Sequence, residues 1–354
     1  MDKLLKWHDK YTLKILVSFL ILFTALYPKL PSVHIDRTWV YIRLEDFAIL
    51  ATVLVWFIQL ARKKVRIPLP LILPIAGYWA VGLISLIAAI IFIAPHLLGF
   101  FPHVAALSFA RRIEYMILFF VAFSTIKSSK DVRDYVVILA ITLIGVLIYG
   151  LGQKYYLYLW AAYPDFFKQY SFCFPSFQTG NEEFAKGIPL CLPEEARITS
   201  TFAGHYDLAA YLVLVVPIFI AIYASVKKWY WKLANAFLAF GGLLLMVLTA
   251  SRTSYMAYLI ATIFSLILFK KKWYIIPVLL VSILLLVSFS GTTAKRMLAT
   301  FRISSIVTDS QGKLIGEELP QDLKNKVDSV EPPPPAQNLQ AGSAFLGLPA
   351  QQTP

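Results

Sequence analysis

Arg197-Ile-Thr-Ser-Thr-Phe-Ala-Gly-His205-Tyr-Asp207-Leu-Ala-Ala-Tyr-Leu212 carries a polar loop into an apolar run that continues to residue 226. Arg197 comes first. Thr199, Ser200 and Thr201 then offer hydroxyls able to cap a helix, Gly204 follows, and only afterwards does the apolar run begin. The pattern reads as a helix entering a bilayer with its charge left at the boundary, and that boundary as one wall of an anion-binding site.

Composition supports the bilayer. Of 354 residues, 58% are hydrophobic and 15% charged, with a mean hydropathy of +0.68, too apolar for a soluble globule of this size. The net charge of +13 does not point to nucleic acid, because Lys and Arg fall mainly in short clusters between apolar runs, as topology signals and headgroup contacts do. The basic start and the apolar run 15–26 lack a small-x-small cleavage site, so this segment reads as a retained first helix.

About nine segments approach the roughly 17 to 25 apolar residues that a span requires. They centre on 13–26, 44–60, 71–94, 105–126, 135–158, 203–226, 233–248, 254–269 and 275–289. Placing Lys3, Lys6, Lys10 and Lys14 inside puts Arg62-Lys63-Lys64, the 127–133 segment, Lys227-Lys228 with Lys232, and Lys270-Lys271-Lys272 on the cytoplasmic side as well. The expected fold is therefore all-α, a polytopic membrane helical bundle over 1–290 of about nine transmembrane helices, with the N-terminus inside. An external loop at about 158–201 interrupts it, and an external, largely disordered tail occupies 291–354, with a Pro-rich stretch at 332–335.

Pro74, Pro217 and Pro277 fall inside spans and imply kinks; a kink at Pro217 offers a lateral entrance for a lipid as the sharper alternative. Cys173 and Cys191 share the external loop, where either a disulfide or two free thiols are consistent with an oxidising side. Aromatic residues crowd 155–177, as an interfacial belt or as a surface for stacking sugars.

External cations need a reason, since positive charge stays inside. The even-numbered helices start outside, and an arginine lies at or near each start: Arg43, Arg111-Arg112, Arg197 and Arg252. A cation at a helix N-terminus costs its own helix about 0.3 to 1 kcal/mol. The same placement suits a bound anion, because backbone N–H groups and guanidinium forks point at it together. The inferred ligand is a phosphate or pyrophosphate. Arg43 and Arg112 each have an acidic residue two positions away, so pairing with Glu45 and Glu114 is the better account there. Arg252 lies in Leu248-Thr-Ala-Ser-Arg-Thr-Ser254, which has no acidic residue, and Arg197 and Arg252 are expected to share one diphosphate.

His205 is a candidate general base and Asp207 a second, although a polar interface residue and a first-turn carboxylate are the structural readings of the same positions. His34, His96 and His103 read as external loop residues and His8 as cytoplasmic. There is no Asp-x-Asp pair, no Cys/His cluster at metal spacing, no Gly-x-Ser-x-Gly elbow and no phosphate-binding glycine loop. Chemistry without metal or cofactor is expected.

The 197–212 stretch, followed one helix pair later by Leu-Thr-Ala-Ser-Arg252-Thr-Ser, resembles the O-antigen ligase and O-antigen polymerase superfamily, bacterial GT-C-type membrane glycosyltransferases of the cytoplasmic membrane. The likeness covers the helical region to about residue 289. It implies an undecaprenyl-pyrophosphate-linked glycan as donor, a glycan or lipid acceptor, metal-independent inversion, and lipopolysaccharide or other envelope-polysaccharide biosynthesis. Arg197 and Arg252, with Arg111 as a further candidate, would hold the pyrophosphate. The family also carries a histidine in a later external loop, followed by more helices, whereas 291–354 contains no histidine. The expectation is a fragment of a longer product or a degenerate copy. Two other classes use the same features: a transporter or flippase for an anionic lipid-linked glycan or solute, and a non-catalytic partner of envelope-polysaccharide assembly proteins.

Overall fold

The computed structural model describes residues 11–27, 31–33, 42–65, 67–97, 99–162, 174–176, 192, 196–289, 306–308 and 314–317. Among these residues there are nine α-helices: α1 (Leu13–Leu26), α2 (Leu44–Ala61), α3 (Leu69–Ala88), α4 (Pro102–Thr125), α5 (Ser129–Ala162), α6 (His205–Ser225), α7 (Trp229–Leu248), α8 (Arg252–Leu268) and α9 (Ile275–Phe289). A π-helical turn, Ala89–Ile93, extends α3, and a 3-10 turn, Lys272–Tyr274, leads into α9. Two short strands, β1 (Pro31–Val33) and β2 (Ile42–Arg43), pair antiparallel between α1 and α2. The chain divides into two units, Met1–Lys295 and Arg296–Pro354. In the second, the described residues are two antiparallel strands, β3 (Ile306–Thr308) and β4 (Leu314–Glu317).

Among the described residues, six helical segments are long and apolar enough to cross a membrane: Leu44–Ala61, Leu69–Ile93, Ser129–Tyr155, His205–Ser225, Trp229–Leu248 and Lys272–Phe289. These are the helices of a membrane protein. The other three fall short for identifiable reasons. Leu13–Leu26 and Arg252–Leu268 are apolar but shorter. The 24-residue α4 carries Arg111, Arg112 and Glu114 along its length.

Side-chain contacts fix helix directions. Lys14 Nζ bridges Asp131 Oδ1 at 2.7 Å and Asp134 Oδ2 at 2.8 Å, joining the start of α1 to the start of α5. Further along, a Cβ on Gly145 of α5 would stand 2.7 Å from Leu26 Cδ2 at the end of α1. The two helices therefore run parallel. Likewise α2 and α4 run parallel, held by Arg111 with Asp46 near the start of α2, and by Trp56 Nε1 donating to Ser124 Oγ (3.0 Å) near its end.

Helices α1, α2 and α4 share a core of Leu13, Val17, Leu20, Ile49, Val53, Trp56, Phe120 and Val121. Helix α6 is the most enclosed, with ten buried residues from Leu208 to Ala224, and it packs on both α7 and α8. Between these groups lies α5, which packs on α1 and α7. Its close approach to α7 rests on small residues: Leu147 meets Gly241, and Leu245 meets Gly150.

Pro217 is buried within α6. Two expectations are corrected. Pro277 stands in the first turn of α9, where its missing N–H would have no intrahelical partner anyway. Arg111 is not at a helix mouth, because Pro102 starts α4 nine positions upstream, which also puts His103 inside that helix.

Candidate functional site

The 197–204 loop is held from beneath by a buried amide. Gln153 of α5 is 1% exposed, and its Oε1 accepts from Ser200 N (2.7 Å) and Thr199 N (3.2 Å). Its Nε2 donates to Pro175 O (3.2 Å), Ser200 O (3.3 Å) and Thr199 Oγ1 (3.4 Å). One side chain thus satisfies backbone groups that no ladder reaches.

The hydroxyls do not cap α6, as the sequence suggested. Its N-cap is Gly204, without a side-chain cap. Ser200 Oγ instead donates to Val146 O at 2.8 Å, and Thr201 Oγ1 donates to Ala25 O, so the loop is pinned to α5 and to the end of α1. Ile198, Thr199, Ser200, Thr201, Phe202 and Ala203 are all buried. Phe202 N–H closes a tight turn onto Thr199 O (3.1 Å), with Ser200 at φ 51°. A left-handed backbone at a non-glycine residue persists only where the surroundings over-determine it, and here three hydrogen bonds do so.

The α7–α8 connection is the second wall. Ile198 N–H donates to Leu248 O at 3.4 Å, satisfying a carbonyl at the end of α7 and joining the Arg197 loop to the turn that precedes Arg252. Ala250 turns the chain at φ 55°, and Thr249 Oγ1 closes back onto Met246 O (2.7 Å). Ser251 is the N-cap of α8, making Arg252 its first residue, one step past the turn that the sequence indicated. Ser251 Oγ donates to Ser254 Oγ at 2.8 Å.

Arg197 is half-buried, and its Nη1 lies 2.9 Å from Nε2 of the half-buried His205. Arginine has only donors. His205 Nε2 is therefore the acceptor, and the ring is the neutral tautomer with its proton on Nδ1. Asp207 is exposed in the first turn of α6, and Arg252 is exposed at the start of α8. The first turn of α8 contains no acidic residue, in contrast to α6 with Asp207. The α8 mouth is the more anion-receptive of the two.

Arg111 is engaged by acidic side chains of α2 and α4. Its guanidinium forks onto Asp46, Nη1 to Oδ1 and Nη2 to Oδ2 (3.1 Å), with Glu114 Oε2 at 3.5 Å. Arg43 pairs with Glu45 at 3.2 Å, as its neighbour suggested. Cys173 and Cys191 lie outside the described residues, as do His8, His34, most of the aromatic stretch 155–177 and most of 291–354. Among the described residues, no group of three or more His, Cys, Asp or Glu side chains stands together to hold a metal ion.

Gln153 was missed in the sequence, where its only signal was an amide beside two glycine-bearing turns of an otherwise apolar helix. No protein-family model matches the chain, and no curated protein or solved structure matches it.

Proposed function

We propose that this chain is a membrane glycosyltransferase of the O-antigen ligase or polymerase type, handling an undecaprenyl-pyrophosphate-linked glycan at the outer face of a bacterial cytoplasmic membrane. In this reading about nine helices span the bilayer with the N-terminus inside. The observation that carries it is the Ile198 N–H to Leu248 O bond, which joins the loop bearing Arg197 to the turn preceding Arg252. Two guanidinium groups and the backbone N–H groups of the α8 mouth then serve one diphosphate. Such donors stabilise charge as it develops on the leaving group.

The Arg197–His205 contact adds a step. While Arg197 donates to Nε2, His205 has no lone pair with which to accept a proton. A diphosphate that draws Arg197 toward itself frees Nε2, so His205 becomes a base only when donor is bound. Asp207, exposed on the same turn, is the alternative base.

The test is donor binding and transfer by the purified chain with chelator present. Arg197→Ala and Arg252→Ala should each weaken binding of the undecaprenyl-pyrophosphate glycan by about tenfold or more, the loss of one charge-assisted contact. Unchanged binding in both variants, at equal expression, overturns the assignment. Binding without transfer by the wild-type chain moves the reading to a transporter or an assembly partner.

A further inference from the structure

A second polar site lies at the opposite end of the helices, where α1, α2, α4 and α5 meet. It is a cavity of about 240 Å³ lined by Lys14, Gln59, Ser124, Thr125, Lys127 and Asp131, among others. Gln59 sits near the end of α2 and is 2% exposed, yet its Nε2 meets no hydrogen-bond partner. A buried amide donor left unmade costs about 1 to 3 kcal/mol.

Most acceptors around this cavity are already engaged. Asp131 Oδ1 accepts from Lys14, and Oδ2 accepts from Lys127 N, Ser128 N and Ser128 Oγ. Ser124 Oγ accepts from Trp56 and donates to Phe120 O. Thr125 Oγ1 accepts from Tyr135 and donates to Ala122 O. The unused donors are Gln59 Nε2, the third proton of the Lys14 ammonium and the exposed Lys127 side chain. A ligand that completes the set must bring several acceptor oxygens and negative charge. Arg62, Lys63 and Lys64 follow directly on the end of α2, and Lys130 follows Lys127, so the field around the mouth is also positive.

We propose that this cavity binds a phosphate group, carried either by the headgroup of an anionic phospholipid in the adjoining leaflet or by free phosphate. The site is independent of the arginine site at the other end. It ties the starts of α1 and α5 to the ends of α2 and α4, so its occupancy stabilises the whole N-terminal half.

Thermal unfolding of the full chain in neutral detergent tests this, with three probes at constant ionic strength: inorganic phosphate, phosphatidylglycerol in mixed micelles, and diacylglycerol in mixed micelles. A saturable rise in Tm with phosphate alone identifies the free ion, and a rise with phosphatidylglycerol but not diacylglycerol identifies the lipid. Either supports the site if Gln59→Leu weakens the apparent affinity by about tenfold or more. Gln59→Leu removes a buried group without a partner, so its Tm without ligand should equal or exceed that of the wild type. Gln59→Glu, which repels phosphate, provides the same readout should the leucine variant not fold. The proposal is overturned if neither phosphate-bearing probe gives a saturable rise, or if the rise persists undiminished in the Gln59 variants.

Discussion

Gln153 shows how much one side chain can decide in an apolar helix. Replacing it with leucine strips the acceptor from the buried N–H groups of Thr199 and Ser200, each worth about 1 to 3 kcal/mol. Gln153→Leu should therefore lower Tm by several degrees in detergent and weaken donor binding with Arg197 itself unchanged; an unaltered Tm would remove the amide from its anchoring role. Only the glycines beside it mark this residue in the sequence, since a lone glutamine in a long apolar run has no spacing to recognise and its partners lie 22 to 47 positions away. The positions of Arg197 and Arg252 beside helix starts were legible because charge next to an apolar run is a local pattern. Arg111 was not, because the carboxylate that claims it is 65 positions distant. The hydroxyls of 199–201 misled for a related reason. A Ser or Thr before a helix looks like a cap, and only the packed structure reveals the other carbonyls, Val146 O and Ala25 O, that compete for it.

At the scale of elements, apolar run length located the helices well and their ends less well. The run at 135–158 is the middle of a helix from Ser129 to Ala162, because Ser128 and Asp131 form a capping pair upstream of the apolar residues. The run at 105–126 begins earlier, at Pro102. The two connections that shape the arginine site each turn on a non-glycine residue in the left-handed region, Ser200 and Ala250, which sequence does not announce. They should respond oppositely to glycine. Ala250→Gly relieves strain of about 1 kcal/mol and should raise Tm. Ser200→Gly relieves the same strain but removes the bond to Val146 O, leaving a buried carbonyl that has lost a donor, and should lower Tm. Equal shifts in the two variants would mean that the side-chain bond contributes nothing.

Across the whole molecule, the parallel pairs α1/α5 and α2/α4 and the α6–α7–α8 hairpins put alternate helix ends at alternate faces. Tyr223 and Tyr274, ring centroids 5.8 Å apart, mark the face opposite Arg197 in the C-terminal half. Single cysteines at Lys63 and Lys271, with Cys173 and Cys191 replaced by serine, should react with an impermeant maleimide from one side of sealed vesicles. A cysteine at Ala196, next to Arg197, should react only from the other. Labelling of all three from one side would refute the alternation. Charge clusters led to the expectation of such an alternation, whereas the placing of α5 between two helix groups had no sequence signal, since an apolar run looks alike on every face. The helix α3 with its π turn, 25 residues long, has no buried residue at all. Its length of about 37 Å exceeds a hydrocarbon core of about 30 Å. Its contacts with the N-terminal core, through Leu71, Ile72, Ile75 and Trp79, are only half-buried, so a thinner membrane should lean α3 over before it disturbs the enclosed α6.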